Sequence, residues 1–436
     1  GFYTIMAAQF FSSLADNALL IAAIALLAQL AAPDWMTPLL KLFFVLSYVL
    51  LAAFVAAFAD SRPKGQVMFI TNTIKIIGCA AMLMGAHPLA SYAIVGLGAA
   101  AYSPAKYGIL TELLPPEKLV AANGWIEGLT VSSIIAGTVL GGVLISAKVS
   151  ATLMSFDLPV WTTGVDTPAE SAISIIMLVY LVAALFNLRI PDTGARYPEQ
   201  SLNPIQLTKD FFVGFHILWR DRLGQISLAV TTLFWGAGAT LQFIVLKWAE
   251  TALNMNLSQG AILQAISAIG VAGGAVWAAS RIPLKSALNV LPYGVVMGLL
   301  VCIMAIYHID SLPSYVLFSI AGFDVNINLL PAYALLITVG WLAGYFVVPM
   351  NALLQHRGHV LLSAGHSIAV QNFNENLSVL MMLMLYAMLI WLDVPVPIVI
   401  TGFGLGVALT MWLVIKKHQA NQAEYDSLHL IGEAKH

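Results

Sequence analysis

The feature that most constrains this chain is a repeated run of apolar residues, each long enough to cross a lipid bilayer. A helix needs about 20 consecutive, mostly apolar residues to span a hydrocarbon core of roughly 30 Å. Of the 436 residues, 60% are hydrophobic and 9% are charged. Soluble domains carry about 25% charged residues. The composition therefore predicts an integral membrane protein and excludes a domain that folds in water.

Twelve apolar segments form two groups of six, separated by a more polar stretch that contains five basic residues. This layout predicts an all-α integral membrane protein with twelve transmembrane helices in two pseudo-symmetric six-helix halves, the major facilitator fold. The predicted domains are an N-terminal bundle (1–188), a cytoplasmic linker with an interfacial helix (189–223), a C-terminal bundle (224–416) and a cytoplasmic tail (417–436). The segments are 2–31, 39–59, 66–86, 88–113, 119–147, 170–188, 225–250, 258–279, 286–308, 329–354, 363–391 and 393–415.

The distribution of basic residues predicts the orientation. With the linker placed in the cytoplasm, fourteen of the nineteen Lys and Arg residues fall on the cytoplasmic side, as the positive-inside rule requires. Both termini are then cytoplasmic, and the loops 148–169 and 309–328 face outward. Within the second of these loops, residues 313–323 are expected to form a re-entrant turn or a surface helix. The first apolar run lacks the basic region and cleavage site of a signal peptide, so we expect it to be retained.

Lys106 lies deep in the fourth segment, two residues after Pro104. A lysine at this depth is costly, so it is tolerated mainly inside a helix bundle or in a wet cavity. Pro104 removes a backbone donor and tends to kink the helix. Pro349 occupies the corresponding position of the tenth segment. We interpret the combination of a kink and a buried cation as a substrate-binding site.

Further polar residues interrupt the first, fifth, seventh and eleventh segments. Ionisable residues inside a membrane usually face the bundle interior and pair with one another. Structural ion pairs that lock helices together are the alternative interpretation for each residue taken singly. Because several of these segments ring the central cavity of the fold, we favour contact with a ligand. The predicted substrate-binding residues are Asp16, Asn17, Lys106, Glu127, Gln242, Gln371, Asn372, Glu375 and Asn376.

Other polar residues in the segments are expected to have structural roles. Lys75 lies midway along the third segment, which packs at the periphery of this fold, so a structural or snorkelling role is favoured. Lys247 and Glu250 are expected to form a snorkelling pair near the end of the seventh segment. Cys79 and Cys302 lie in apolar segments and are expected to be free, buried thiols. No catalytic, metal or cofactor site is predicted.

The loop between the second and third segments, ADSRPKG at 59–65, resembles the cytoplasmic signature G-x-x-x-D-R-x-G-R-R of the major facilitator superfamily. Ala56 stands where the first glycine of that signature would be. An aspartate at a helix end can hold basic residues and the N-terminus of a neighbouring helix. We therefore predict that Asp60, Arg62 and Lys64 form a conformational latch.

Several stretches together resemble the bacterial lysophospholipid transporters of the major facilitator superfamily. The resemblance implies import of lysophosphatidylethanolamine and related lysolipids across the Gram-negative inner membrane, by alternating access, with the acyl tail in a seam between the halves. It also implies re-acylation by a partner, a cytoplasmic acyltransferase–acyl carrier protein synthetase. The matching stretches are AQFFSSLADNALL (8–20), ADSRPKGQV (59–67), GLGAAAYSPAKYGILTEL (96–113), LFWGAGATL (233–241), LLPAYALL (329–336), FVVPMNALLQHRG (346–358) and IAVQNFNEN (368–376).

For such a substrate, Lys106 is the candidate ligand of the phosphate, because its ammonium is a point charge with three donors. Asp16 and Glu375 are candidates for an ammonium headgroup, and the neighbouring amides offer neutral hydrogen bonds. Glu127 is expected to hold Lys106 when the site is empty. Gln242 stands where the resemblance leads us to expect a basic residue.

Two other functions remain open at this stage. The first is a proton-coupled transporter of a drug or small metabolite, in which an intramembrane carboxylate titrates. The second is a membrane acyltransferase, because His216 and Asp221 match the spacing H-x-x-x-x-D of a base and its orienting carboxylate. We expect that match to be fortuitous and the protein to be no enzyme. The net charge of −2 gives no basis for nucleic-acid binding, and we expect a monomer.

Overall fold

The computed structural model describes residues 1–113, 116–156, 165–196, 203–320, 323–362 and 364–432. Within these ranges, nine helices are long and apolar enough to cross a membrane. A tenth span is present if two helices bent by 68°, Gly128–Leu144 and Ala147–Met154, form one crossing. The predicted class, a predominantly helical multi-pass membrane protein, is confirmed, and the count of twelve stays a prediction.

Eight helices precede the polar linker. The second predicted segment consists of two helices separated at Leu51, and the fifth ends at Leu144 before a short helix of different direction. The eight are α1 Phe2–Gln29, α2 Thr37–Leu50, α3 Ala52–Asp60, α4 Lys64–Leu83, α5 Pro88–Leu113, α6 Pro116–Leu144, α7 Ala147–Met154 and α8 Pro168–Leu188.

Seven helices and one β-hairpin follow. The linker contains α9, which follows Asn203 and ends where Asp221 caps the next helix, and its position at the membrane surface stays a prediction. The elements are α9 Pro204–Arg220, α10 Arg222–Ala252, α11 Leu257–Arg281, α12 Leu291–Met304, β1 Val316–Ile320, β2 Phe323–Asn326, α13 Leu330–Leu361, α14 Ala364–Trp391 and α15 Val396–Glu424.

The chain forms two compact units. Unit 1 consists of Gly1–Thr208 with Leu257–Ala265, and unit 2 consists of Lys209–Asn256 with Ile266–His436. The predicted domain boundaries at residues 188, 223 and 416 stay a prediction.

In unit 1, α1 is the central helix and packs against α6 and α8. Glycines on α6 allow the close approach: a Cβ added at Gly137 would lie 2.4 Å from the carbonyl oxygen of Leu14. At Gly141 the corresponding distance to the carbonyl oxygen of Ala18 is 2.8 Å. Small residues at such contacts let helix backbones approach closely, which is typical of packing inside membranes.

In unit 2, α10 packs against α14, and α12 packs against α15. Gly270 and Gly274 of α11 meet the backbone of α13, since a Cβ at Gly270 would lie 2.4 Å from the carbonyl oxygen of Ile337. Both cysteines are free, as predicted. Cys79 of unit 1 is buried, also as predicted, whereas the prediction that Cys302 is buried was wrong, since this thiol is half-buried.

The prediction for residues 313–323 was wrong. This stretch contains β1, which pairs antiparallel with β2 in a two-stranded hairpin. The register places Val316 opposite Asn326 and Ile320 opposite Phe323, with a β-bulge between Val316 and Phe318. The physical reason is the run of β-branched and aromatic residues after Pro313, which favours an extended strand over a helix.

Candidate functional site

The polar centre of unit 1 is an ion pair between α1 and α4. The Lys75 Nζ atom lies 2.9 Å from the Asp16 Oδ2 atom. Lys75 is only 1% exposed. The snorkelling alternative predicted for it is therefore wrong, because its ammonium is buried in the protein and pairs with Asp16. The structural alternative agrees with this position. An ammonium so deeply buried requires a partner, since its desolvation is otherwise uncompensated.

Hydroxyl and amide groups complete the surroundings of this pair. Lys75 also donates to the Ser12 Oγ atom at 2.9 Å, and Ser12 in turn donates to the Asn72 Oδ1 atom at 2.7 Å. Tyr180 of α8 donates to the Asp16 Oδ1 atom at 2.6 Å. Both carboxylate oxygens of Asp16 therefore accept hydrogen bonds within unit 1. We call these five side chains the Asp16 cluster.

Two aromatic rings cover the ammonium of the cluster. The Lys75 Nζ atom lies 5.1 Å from the ring centroid of Tyr102 and 5.6 Å from that of Tyr180. A cation over an aromatic ring at this distance is attracted by the negative face of the ring. The lysine is thus held by charge, hydrogen bonds and ring faces together.

Lys106 lies on α5, four residues after Tyr102. Residues at i and i+4 share a helix face, so Lys106 follows by one turn the tyrosine that covers Lys75. The helix continues through Pro104, and the Lys106 side chain is half-buried. Lys106 therefore lies one helical turn from Tyr102, whose ring covers the Lys75 ammonium.

Asn17, the neighbour of Asp16, donates its side-chain amide to the Ser13 carbonyl at 2.8 Å, within its own helix. The Asp60 and Glu127 side chains, predicted for the latch and the substrate site, lie outside the part of the chain that the structure describes. Of the other latch residues, Arg62 is exposed, and buried Lys64 donates to the Ala59 carbonyl at 2.8 Å.

The polar centre of unit 2 lies between α13 and α14 and consists mainly of amides. The Gln371 Nε2 atom donates to the Asn351 Oδ1 atom at 3.1 Å and to the Glu375 Oε1 atom at 2.7 Å. Glu375 is buried. Asn351 follows Pro349 by two residues, as Lys106 follows Pro104. We call Asn351, Gln371 and Glu375 the Glu375 cluster.

The remaining predicted site residues lie on helices of unit 2. Asn376 donates to the Asn372 carbonyl at 2.8 Å, one turn earlier in α14, and both side chains are half-buried. Gln242 is half-buried on α10. Near the end of α10, the predicted pair of Lys247 and Glu250 is confirmed at 3.4 Å.

Asp221 has a structural role. Its carboxylate accepts from the Arg357 Nη2 atom at 2.7 Å and from the Arg357 Nε atom at 3.0 Å. It also caps α10 by accepting from the Gly224 backbone N–H at 2.7 Å. His216 is exposed on α9. These contacts account for Asp221 without a role for His216.

Sequence reasoning missed four members of the Asp16 cluster: Ser12, Asn72, Lys75 and Tyr180. One signal was present, because Asp16 and Lys75 carry opposite charges inside two apolar segments, and such residues usually pair. The tyrosine and the two small polar residues had no comparable signal, since their types are common in helix contacts.

Comparison with known protein families and solved structures identifies the fold of this chain. Residues 5–359 match the model of the family described as the Major Facilitator Superfamily, so the chain has the fold of that class of transporters. A bacterial homologue of the human lysosomal transporter Spinster, inward-facing and unoccupied, has a TM-score of 0.61 and 14% identity, covering 98% of this chain and 96% of that one. A POT family transporter in complex with 5-aminolevulinic acid has a TM-score of 0.68 and 10% identity, covering 97% and 96%. These two structures show the shared fold alone.

Sequence relatives are more specific. The protein named Lysophospholipid transporter LplT from Yersinia enterocolitica serotype O:8 / biotype 1B is 42% identical over 383 residues, which cover 88% of this chain and 85% of that protein. The protein of the same name from Salmonella typhi is 40% identical over 383 residues, covering 88% and 86%. The chain therefore belongs to the lysophospholipid transporter family of the major facilitator superfamily, and the resemblance drawn from its sequence is confirmed.

Proposed function

We propose that this protein moves lysophospholipids, such as lysophosphatidylethanolamine, across the bacterial inner membrane to the cytoplasmic leaflet. The names of its relatives support the substrate class, and the fold supports alternating access to a site near the middle of the bilayer. The basic linker supports a cytoplasmic location of both termini. The product would be re-acylated by a separate cytoplasmic acyltransferase–acyl carrier protein synthetase.

The observation that supports a phosphate site at Lys106 is its half-buried position on α5, one helical turn after Tyr102, whose ring covers Lys75. A lysolipid headgroup loses its water when it crosses about 30 Å of hydrocarbon, so fixed polar partners have to replace that water. Lys75 is already engaged by Asp16 and Ser12. Lys75 is also only 1% exposed, whereas Lys106 is half-buried, so of the two lysines Lys106 is the more accessible to a phosphate.

Carboxylates and amides would receive an ammonium headgroup. Asp16 retains 19% side-chain exposure, and a carboxylate has about four acceptor sites, of which Lys75 and Tyr180 occupy two. Asp16 can thus accept from a substrate ammonium without losing its lysine. In unit 2, Glu375 would act in the same way, with the amides of Gln371, Asn372 and Asn376 as neutral partners. Asn17 and Gln242 offer further amides, and Glu127 would hold Lys106 in the empty site.

The test is the initial rate of labelled lysophosphatidylethanolamine transport in proteoliposomes. Replacing Lys106 by Gln removes a charge-assisted hydrogen bond, which is worth about 1.5–3 kcal/mol, and should slow transport on the order of 10- to 100-fold. The matched control is Lys247→Gln, which changes the same residue type in the pair with Glu250 and should leave the rate near wild type. Wild-type rates for Lys106→Gln at equal protein amounts would refute the assignment.

Proton-coupled transport, the alternative function, requires a carboxylate that titrates during the cycle. Lysolipid transport by facilitated movement should continue at an unchanged rate when an uncoupler collapses the proton gradient across the vesicle membrane. Loss of transport under that condition would favour proton coupling.

A further inference from the structure

The β1–β2 hairpin presents an exposed apolar surface that the transport mechanism does not use. Four consecutive residues, Tyr315, Val316, Leu317 and Phe318, are between 48% and 65% exposed. An isolated two-stranded hairpin is marginally stable in water, and a contiguous exposed apolar patch marks an interaction site. The bulge between Val316 and Phe318 interrupts the strict alternation of strand faces. The hairpin therefore requires an apolar environment around it.

The location of the hairpin in the chain identifies that environment. β1 and β2 lie between the ends of two membrane-crossing helices, α12 and α13. Exposed apolar residues also lie at the adjoining ends of both helices, with Ile303 and Ile306 at and just beyond the end of α12 and Leu330 at the start of α13. Within a membrane protein, such a surface on spanning helices faces lipid.

A crevice between the two helices extends the same apolar surface. It has a volume of about 250 Å³, and its lining includes Leu300, Ile303, Pro331 and Leu335. Tyr307 also lines it, and the Tyr307 hydroxyl donates to the Asn328 carbonyl, two residues after β2. The hydrogen bond of Tyr307 thus links the lining of this crevice to the residues that follow β2.

The charges of this loop indicate the chemistry of the lipid surface. Residues 305–329 contain two acids, Asp310 and Asp324, and neither Lys nor Arg. Segments that bind anionic lipids carry clusters of basic residues. Aromatic residues such as Tyr315 and Phe318 are enriched where protein meets the headgroup layer. The composition therefore fits zwitterionic headgroups.

We propose that the β1–β2 hairpin inserts into the headgroup layer of the leaflet next to it, where Tyr315, Val316, Leu317 and Phe318 contact zwitterionic phospholipid. It acts as an interfacial anchor for the adjoining ends of α12 and α13. The anchor rests on membrane insertion of these helices and is independent of the substrate and of the Asp16 cluster.

Spin labels at single cysteines test the insertion. The background is the Cys79→Ala/Cys302→Ala protein in vesicles of phosphatidylcholine and phosphatidylethanolamine, with a nitroxide attached at Phe318→Cys. Val296→Cys on α12 is the lipid-facing reference, and Ser61→Cys in the exposed loop before α4 is the aqueous reference. The expected result is that the label at position 318 collides less often with a water-soluble nickel chelate, and more often with oxygen, than the label at position 61, with values between those of positions 61 and 296.

Three results would overturn the proposal. Collision with the nickel chelate at position 318 equal to that at position 61 would place the hairpin in water. A label shielded from both oxygen and nickel would indicate a protein partner or a second copy of the chain. Insertion that occurs only after phosphatidylglycerol is added to the vesicles would exclude zwitterionic headgroups as the surface recognised. Transport assays of Lys106→Gln do not bear on any of these outcomes.

Discussion

The Asp16 cluster of unit 1 and the Glu375 cluster of unit 2 each hold a carboxylate among membrane-spanning helices, and the side chains that contact the two carboxylates differ. In unit 1, the charge of Asp16 is balanced by Lys75, which is 2.9 Å away and 1% exposed. In unit 2, the contacts of Gln371 join Glu375 to Asn351 through amide hydrogen bonds. The two prolines that precede Lys106 and Asn351 correspond, yet one is followed by a cation and the other by an amide.

The two halves can therefore have a corresponding proline in their helices while different residue types follow it. An ion pair inside a protein is costly to break, because the partner that is left behind is an uncompensated charge. A neutral hydrogen bond contributes less and is less costly to lose. The ion pair of Asp16 and Lys75 in unit 1 is therefore expected to contribute more to stability than the hydrogen bond between Gln371 and Asn351 in unit 2.

The largest effect is expected for Lys75→Met. It leaves Asp16 without its ammonium partner, and breaking a buried ion pair costs about 3–5 kcal/mol. The protein should unfold at clearly lower temperature in detergent, as measured by intrinsic fluorescence or calorimetry.

Two control variants test whether the loss of the ion pair causes this change. Lys247→Met, which disrupts a surface pair, should cost about 0–1 kcal/mol. The double variant Asp16→Asn/Lys75→Met removes both charges and should recover most of the loss; a double variant less stable than Lys75→Met would contradict an ion pair as the cause.

Tyr180→Phe should have an intermediate effect. It removes the hydrogen bond at 2.6 Å to the Asp16 Oδ1 atom and leaves the pair with Lys75 intact. Hydrogen bonds to charged groups contribute about 1.5–3 kcal/mol. The same unfolding measurement should place this variant between wild type and Lys75→Met. A melting temperature equal to wild type would show that the hydroxyl does not hold the carboxylate.

Asn351→Ala in unit 2 should have a smaller effect. It removes the neutral hydrogen bond from Gln371, at 3.1 Å, and such a bond contributes about 0.5–1.5 kcal/mol. If this variant unfolds at the same temperature as Lys75→Met, the expected difference in stability between the ion pair of unit 1 and the neutral hydrogen bond of unit 2 is contradicted.

The smallest effect concerns the linker, where Asp192 and Arg196 form an exposed pair at 2.8 Å. The hydrogen bond from Arg196, followed by that from the Gly194 N–H, lowers the pKa of Asp192 from 3.8 to about 2. A lowered pKa means that the stabilisation is present above pH 3.8 and is lost as the pH falls through about 2. In Arg196→Ala, a carboxyl NMR titration should show the Asp192 pKa rising towards 3.8; an unchanged pKa would exclude Arg196 as its main cause.

Much of the fold was predictable because a helix that crosses lipid requires a run of about 20 mostly apolar residues. The fourth and sixth predicted segments, 88–113 and 170–188, agree closely with α5 (Pro88–Leu113) and α8 (Pro168–Leu188), since each apolar run begins at or near a proline. The break at Leu51 was missed, because the second segment is apolar on both sides of it.

The candidate site was harder to predict, since it depends on contacts between distant segments. Asp16 and Lys106 were recognised from the cost of placing charge in an apolar span. Lys75 was assigned a structural or snorkelling role, because the third segment usually packs at the periphery of this fold. Its pairing with Asp16, 59 residues away, depends on how α1 and α4 pack within unit 1. The β-hairpin was missed for a related reason: pairing of two short strands is not visible in the periodicity of an apolar loop.

Ligand-dependent thermal stability tests most directly whether Lys106 binds the lysolipid phosphate. A ligand that binds only the folded state raises the unfolding temperature by mass action. Lysophosphatidylethanolamine should stabilise the wild-type protein, its diacyl counterpart should not, and the stabilisation should be lost in Lys106→Gln. An equal shift in wild type and Lys106→Gln would contradict the role assigned to this lysine.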